Sequence, residues 1–386
     1  MKPSGWLDLE VLVCVGTGGV GKTTVAAAIG LEAARCGRNV LVLTIDPARR
    51  LADALGTGPL DHQVRMVPSE VMEQVGAEPG GSLSAMMLDT KRTFDELVAH
   101  YAPDRESLEQ ILENPIYRNL TDALSGSREY SAMERLHQLQ DEGEFDMIVL
   151  DTPPARYALE FLDAPRRLTR FLDSQILKLL FHPAAVVGRT GFRLFRRSSE
   201  TVLRLVERVS GLEFLRSISE FLLAFESMLD GFTSRAHEVE ALLRSSRCGF
   251  LLVAGPNADQ VRRAERFWSR LDEEKIRLVG LVLNRVHVWP GGSETPELSP
   301  DLSARARAWL ERGLHDPEGA RGLFETVSRQ ASLARRDHAF ASRLAGALPL
   351  PSEAIRTVPL MAEDVHAIEG LRTLAAEIFA EGAGAR

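Results

Sequence analysis

Apolar residues recur along this chain in two patterns. Short runs rich in Val, Ile and Leu stand at EVLVCV (10–15), NVLVLT (39–44), SLSAMML (82–88), FDMIVLD (145–151), GFLLVA (249–254) and RLVGLVLN (277–284). Longer stretches with helical spacing separate them. Continuous apolar runs that alternate with helices predict an α/β fold, with a mainly parallel sheet buried on both faces. The helical blocks, about 89–141, 155–246 and 300–346, are too extensive for simple crossovers and predict a helical subdomain carried on that core. The chain is expected to form one such domain over 1–386, with WPGGSETPELSP (289–300) as its clearest loop and a fraying EGAGAR tail. No internal repeat stands out.

Composition narrows the class. A hydrophobic fraction of 45% over 386 residues is ample for a large core. No apolar run approaches the ~20 residues of a membrane span, so any membrane role is expected to be peripheral or through a partner. The three cysteines, Cys14, Cys36 and Cys248, have no paired spacing, and the N-terminus lacks a leader pattern; a cytoplasmic location is expected. The net charge is -8, yet residues 166–208 hold ten Lys or Arg against three Asp or Glu. That segment reads either as a solvated basic face or as a surface for an acidic partner, a client or anionic lipid. Nothing calls for nucleic acid.

The chemistry is concentrated in VLVCVGTGGVGKTTV (11–25), where Gly16, Gly21, Lys22 and Thr23 fit GxxxxGK[ST] between a strand and a helix. Glycines let backbone N–H groups turn onto phosphate oxygens, and the helix N-terminus adds positive potential. Lys22 supplies charge to the outer phosphates, and Thr23 a hydroxyl to Mg²⁺. Two aspartates end strands at the edge where ligands bind in parallel sheets. Asp46 stands in TIDPARR, and Asp151 in MIVLDTPP is placed to hold Mg²⁺ through water as a Walker B carboxylate. Taken singly, each could instead cap a helix or turn.

GTGGVGKTT, TIDPARRLADAL, LSAMMLDTKRTFDEL, VLDTPPARYALEFLDAP, GLVLNRV and IRTVPLMAEDVHAIEGLRTL occur in the order seen in the anion-transporting ATPase family, which the chain resembles over nearly its whole length. That family includes the arsenite-pump ATPase and the ATPase that targets tail-anchored membrane proteins, both related to the MinD/ParA dimeric P-loop switches. The resemblance implies ATP and Mg²⁺ as cofactors. It assigns Gly18, Gly19, Val20, Gly21, Lys22, Thr23 and Thr24 to the phosphates, and Thr23 to the metal. Asp46 would position or activate the attacking water, and Asp151 would support the metal and sense the γ-phosphate. Asn284 matches the adenine-reading asparagine, unless it only caps a strand. Pro359, Leu360 and Met361 match the adenine loop, and Asn257 stands where the family has an acidic nucleotide contact.

Departures from the pattern shape the expected function. Residues 285–358 hold no CxxC, which argues against a zinc-bridged dimer. Residues 155–247 contain Met228 as their one methionine, unlike a methionine-rich client groove, and three scattered cysteines make a poor arsenite trap. Thr17 replaces the signature lysine that crosses the dimer interface in this family, and a hydroxyl brings no positive charge. Arg156 stands where the family has glycine. The expectation is an ATP-hydrolysing dimeric switch acting on a hydrophobic client or membrane partner. Its dimer is either homomeric or, preferably, heteromeric with a lysine-containing paralogue. The alternatives are a poorly hydrolysing regulatory subunit and an arsenite or oxyanion pump motor.

Overall fold

A computed structural model of the chain describes residues 3–45, 50–114, 117, 128–152, 229–289, 300–314 and 316–380. Eight strands form one sheet: β1 (Val11–Gly16), β2 (Asn39–Thr44), β3 (Arg65–Met66), β4 (Ser82–Met87), β5 (Met147–Asp151), β6 (Cys248–Ala254), β7 (Leu278–Val286) and β8 (Ile355–Pro359). Their order across it is β3-β4-β2-β5-β1-β6-β7-β8. The neighbours β2–β5, β5–β1, β1–β6, β6–β7 and β7–β8 are parallel, and β3 pairs antiparallel with β4. The fold is thus the expected α/β architecture. Strands β3 and β8 were not among the apolar runs. β3 is only two residues long, and β8 carries Arg356 and Thr357 within IRTVP, so neither reads as a continuous hydrophobic segment.

Both sheet faces are buried. Leu12 and Cys14 of β1, Val40 and Val42 of β2, Met147 and Val149 of β5, and Leu251 and Val253 of β6 join one core with α1 (Lys22–Arg35) and the last helix, Ile368–Phe379. Their strand neighbours Val13, Leu41, Leu43, Ile148, Leu150 and Leu252 are equally buried outside that cluster. Each such side chain contributes about 1.5–3 kcal/mol of burial free energy. β1 sits between β5 and β6 and is buried at every position, with Cys14 opposite Asp151 and Gly16 opposite Val253. A side chain at Gly16 would run into the carbonyl of Val253, so glycine is what lets the end of β1 stay paired with β6.

The chain divides into two compact units. One comprises described residues within 1–86, 145–158 and 244–386 and holds the sheet. Its helices after α1 are α2 (Arg50–Leu55) and α3 (Ser69–Gln74). The other unit, within 87–144 and 159–243, contains α4 (Thr90–Tyr101), α5 (Arg105–Glu113), α6 (Arg128–Glu142) and α7 (Leu229–Arg244, whose last residue falls in the first unit). Asp89 and Asp104 cap α4 and α5 by accepting from the N–H groups of Arg92 and Ser107. Arg235 of α7 joins two acids of α6, with Nε 2.9 Å from Glu134 and Nη1 2.8 Å from Asp141.

In the first unit follow α8 (Ala258–Glu273), α9 (Pro300–Leu314), α10 (Pro317–Gly346) and α11 (Ile368–Phe379). α9 packs on α10, which packs on α8 and β7. The helices within 300–346 therefore belong to the sheet unit rather than to the helical one. The loop expected at 289–300 and the EGAGAR tail lie almost wholly outside the described residues, as does 155–228 with the basic segment, Arg156 and Met228.

Candidate functional site

The loop between β1 and α1 is shaped by glycine. Gly19 and Gly21 have left-handed backbones, with φ of 78° and 92°. A side chain at Gly21 would also collide with the Asn284 amide. Gly21 is the N-cap of α1 and provides no side-chain cap, so the first N–H groups of the helix point to the loop mouth with their positive potential. Gly18 and Gly19 are exposed at the tip, Val20 is buried, and Thr23 and Thr24 are half-buried. Lys22, mostly buried, folds back so that its Nζ donates to the carbonyl of Thr17 at 3.1 Å.

Asp151 stands at the end of β5 with no solvent exposure. Its Oδ2 accepts from the Thr23 hydroxyl at 2.6 Å and from the Thr44 hydroxyl at 3.0 Å. Thr152 fixes the chain after it by donating its hydroxyl to the carbonyl of Cys14 at 2.8 Å. The Cys14 thiol lies on the adjacent strand. Burial, reinforced by the negative charge of Asp151 and opposed by Lys22, drives its pKa far above the usual thiol range.

A cleft of about 380 Å³ opens beside the loop. Gly19, Gly21, Thr23 and Thr24 line one part of it, Asn284 and Arg285 another, and Pro359, Leu360 and Met361 a third. The Asn284 side chain is held from two sides: its Nδ2 donates to the carbonyl of Val20 at 2.8 Å, and its Oδ1 accepts from the backbone of Arg285 at 3.0 Å. The amide group has capacity for one further hydrogen bond as donor and one as acceptor.

The structure does not bring every predicted residue to this cleft. Asn257 is the N-cap of α8, its side chain accepting from the N–H of Gln260 at 3.2 Å, and it does not line the cleft. The physical cause is local: asparagine before a helical run satisfies the helix's own donors first. Asp46 lies outside the described residues. Other contributors escaped sequence reasoning. Thr44 and Thr152 flank the strand-ending aspartates and orient Asp151 or its strand. Gln260 donates its amide to the Thr17 hydroxyl. Arg285 donates to the carbonyl of Gly19 at 3.1 Å. Of these, Thr152 and Arg285 had a usable signal, each standing directly after a predicted site residue, Asp151 and Asn284.

Among the described residues no group of three or more His, Cys, Asp or Glu is placed to hold a metal ion. At the head of α1 stand instead one hydroxyl and one carboxylate, Thr23 and Asp151. These are hard oxygen donors of the kind that Mg²⁺ takes in small number, completing its shell with water and phosphate oxygens. The pair fits that ion.

Residues 9–295 match the family described as Anion-transporting ATPase. The chain is 30% identical over 168 residues to "ATPase get3" of Schizosaccharomyces japonicus, a match covering 43% of this chain and 47% of that protein. It is 23% identical over 266 residues to "Putative arsenical pump-driving ATPase 1" of Aquifex aeolicus, covering 66% and 62% of the two chains. With "ATPase ASNA1 homolog 1" of Paramecium tetraurelia it shares 24% identity over 276 residues, 70% and 73% of the respective lengths. The match to the get3 protein thus spans about half of that relative's length.

Proposed function

The chain belongs to the anion-transporting ATPase family, and from that premise we propose that it is a Mg²⁺-dependent ATPase acting as a dimeric switch, in which nucleotide state governs the handling of a hydrophobic client or membrane partner. The observation that carries this reading is the contact between Thr23 at the head of α1 and the buried Asp151. It sits beside a glycine loop and a cleft that also holds Asn284. In this reading the N–H groups of residues 18–24 bind the phosphates, and Lys22 leaves the Thr17 carbonyl for the outer ones. Mg²⁺, held through Thr23 and Asp151, supplies positive charge to the phosphate oxygens. Asp46 orients the attacking water. Positioning and electrostatic stabilisation do the work, as expected of phosphoryl transfer. Asn284, Pro359, Leu360 and Met361 receive the adenine.

Thr17 favours a heteromeric pair, in which a lysine-bearing sister subunit supplies the charge that this chain lacks. Its side chain is buried and accepts from Gln260, so it is directed into its own subunit. The same feature supports a second reading, a nucleotide-binding regulatory subunit that hydrolyses poorly alone. An arsenite motor has less support. Cys14 and Cys248 are buried on neighbouring strands, with Cys14 opposite Leu251 and Cys248 opposite Val11, and Cys36 is exposed at the end of α1. No helix among the described residues is long and apolar enough to cross a membrane.

Calorimetry tests the binding step: wild type takes up MgATP and Lys22→Ala does not, and equal binding by both would remove the phosphate assignment. Asp46→Asn keeps ATP binding and loses at least ~10-fold in single-turnover hydrolysis, the low end for a positioned base. An unchanged rate in the complete complex favours the regulatory reading. Full activity in a strictly monomeric preparation, insensitive to Thr17→Lys, rules out the sister subunit.

A further inference from the structure

Arg285 occupies a backbone position that arginine rarely takes. Its φ is 64°, in the left-handed region, and it lines the cleft with its side chain exposed. The register between β7 and β8 explains the geometry. Leu283 pairs with Thr357 and Val286 with Pro359, so the Asn284–Arg285 stretch carries one extra residue, a bulge in the strand. Bulges re-aim side chains and recur beside functional sites, and a left-handed non-glycine residue persists only where its surroundings over-determine it. Here they do. Asn284 is bonded to the carbonyl of Val20, and Val286 accepts from the N–H of Leu360 at 2.9 Å. His287 donates its backbone N–H at 3.0 Å to Asp337, a fully buried carboxylate of α10.

The Arg285 guanidinium donates to the carbonyl oxygen of Gly19 at 3.1 Å. In a trans peptide that oxygen points opposite to the N–H of Val20. An anion held by the loop's N–H groups therefore lies on the other side of this peptide, and Arg285 flanks the phosphate cradle without entering it. It lines the cleft together with Asn284, the apolar residues Pro359, Leu360, Met361 and Val365, and the polar residues Asp53, Glu363, Asp364 and His366. Leu360 is 51% exposed there. The cleft thus combines a planar cation, aliphatic groups and an asparagine amide, which are the groups a flat aromatic base can engage.

We propose that Arg285 is a base-stacking residue, its guanidinium lying on one face of the adenine while Asn284 reads the edge. The assignment rests on the ATP-binding reading above and adds to it the residue that holds the base. The bulge and the bond to Gly19 hold the guanidinium in place before the nucleotide arrives, which limits the entropy lost on binding.

Calorimetry on the full chain with ATP, ADP and inorganic tripolyphosphate tests this, using wild type, Arg285→Gly and Arg285→Lys. Glycine suits the left-handed backbone, so that variant removes the side chain without straining the bulge. Lysine can still donate to Gly19 but presents no plane. The expected result is a loss in Arg285→Gly of about 5–30-fold, equal for ATP and ADP, as base stacking and cation–π contacts are worth. Tripolyphosphate affinity stays unchanged, and Arg285→Lys restores only part of the loss. An equal loss for tripolyphosphate would make Arg285 a loop support, and a loss that grows from ADP to ATP would make it a phosphate ligand; either overturns the proposal. A wild type that binds tripolyphosphate as tightly as ATP removes the base site and this proposal with it while leaving the phosphate cradle standing. A wild type that binds none of the three removes the ATP reading itself.

Discussion

Thr17 accepts from the Gln260 amide through its side chain and from Lys22 through its carbonyl, so one residue ties the phosphate loop to α8 and parks the loop's lysine. Both donors are largely buried. Replacing Thr17 with Val keeps the shape and orphans the Gln260 amide, with an expected loss of about 1–3 kcal/mol in urea denaturation; a stability equal to wild type would mean that Gln260 has another acceptor. The cysteines give a second expectation at this scale. Burial pushes the Cys248 thiol up to about 12, with Arg277 opposing, and Cys14 is raised further. A thiol titrating that high is almost wholly protonated at pH 8 and is a poor nucleophile. Cys36 is exposed, although partial burial and the charges of Glu32 and Glu78 raise its pKa as well. Iodoacetamide at pH 8 should therefore label Cys36 alone in the folded protein, increasingly as pH rises, and all three after denaturation. Peptide mass spectrometry reads the outcome, and labelling of Cys14 in the native state would contradict the enclosed β1.

At the scale of elements, the end of β7 is governed by α10. Asp337 accepts from the backbone and the ring Nδ1 of His287, at 3.0 and 2.7 Å, and from Arg336. Gln330 adds a bond to the carbonyl of Val288 at 3.1 Å. Asp337→Ala takes the acceptor from the partly buried His287 donors, and about 3 kcal/mol of stability should be lost in denaturant melts. Amide exchange should accelerate at residues 284–288 more than in β1, and uniform acceleration would deny the local latch. The helical unit offers a pH expectation. The carboxyl of Asp104 is held below its ordinary value of 3.8 chiefly by its hydrogen bonds with Ser107 at the start of α5. A depressed acid contributes stability that is fully present above 3.8 and is lost as pH falls through the lower folded value. The first turn of α5 should thus fray on acidification, seen in the backbone carbon shifts of residues 105–108, and Asp104→Asn should abolish that acid step.

For the whole molecule, the cleft, its loop and Asn284 all belong to the sheet-bearing unit. A ligand that binds only the folded form stabilises it by mass action, about 2.7 kcal/mol at one hundred times its dissociation constant. Saturating MgATP should raise the melting transition of the sheet unit, and Lys22→Ala should abolish the rise. An equal shift in that variant would place the nucleotide elsewhere. The Arg235 network of the helical unit, joining Glu134 and Asp141, serves as an internal reference, since nothing in it lines the cleft.

Sequence alone determined what is local or periodic. Continuous apolar runs announced five of the parallel strands and β4, because a strand buried on both faces is apolar at nearly every position. The phosphate loop was equally legible, since glycines, lysine and threonine at fixed spacing serve one short turn. Family membership followed from the order of several such segments. Tertiary structure decided the rest. Two-residue β3 and polar-bearing β8 have no pattern of their own and exist because a neighbouring strand offers hydrogen bonds. Asn257 caps α8, because its carboxamide oxygen satisfies a free N–H of that helix's first turn. Thr17 turns inward to Gln260, 243 positions away, and Arg285 reaches Gly19 across 266. No periodicity encodes such pairs. They arise when parallel strands end side by side and a bulge turns one side chain toward the loop of another.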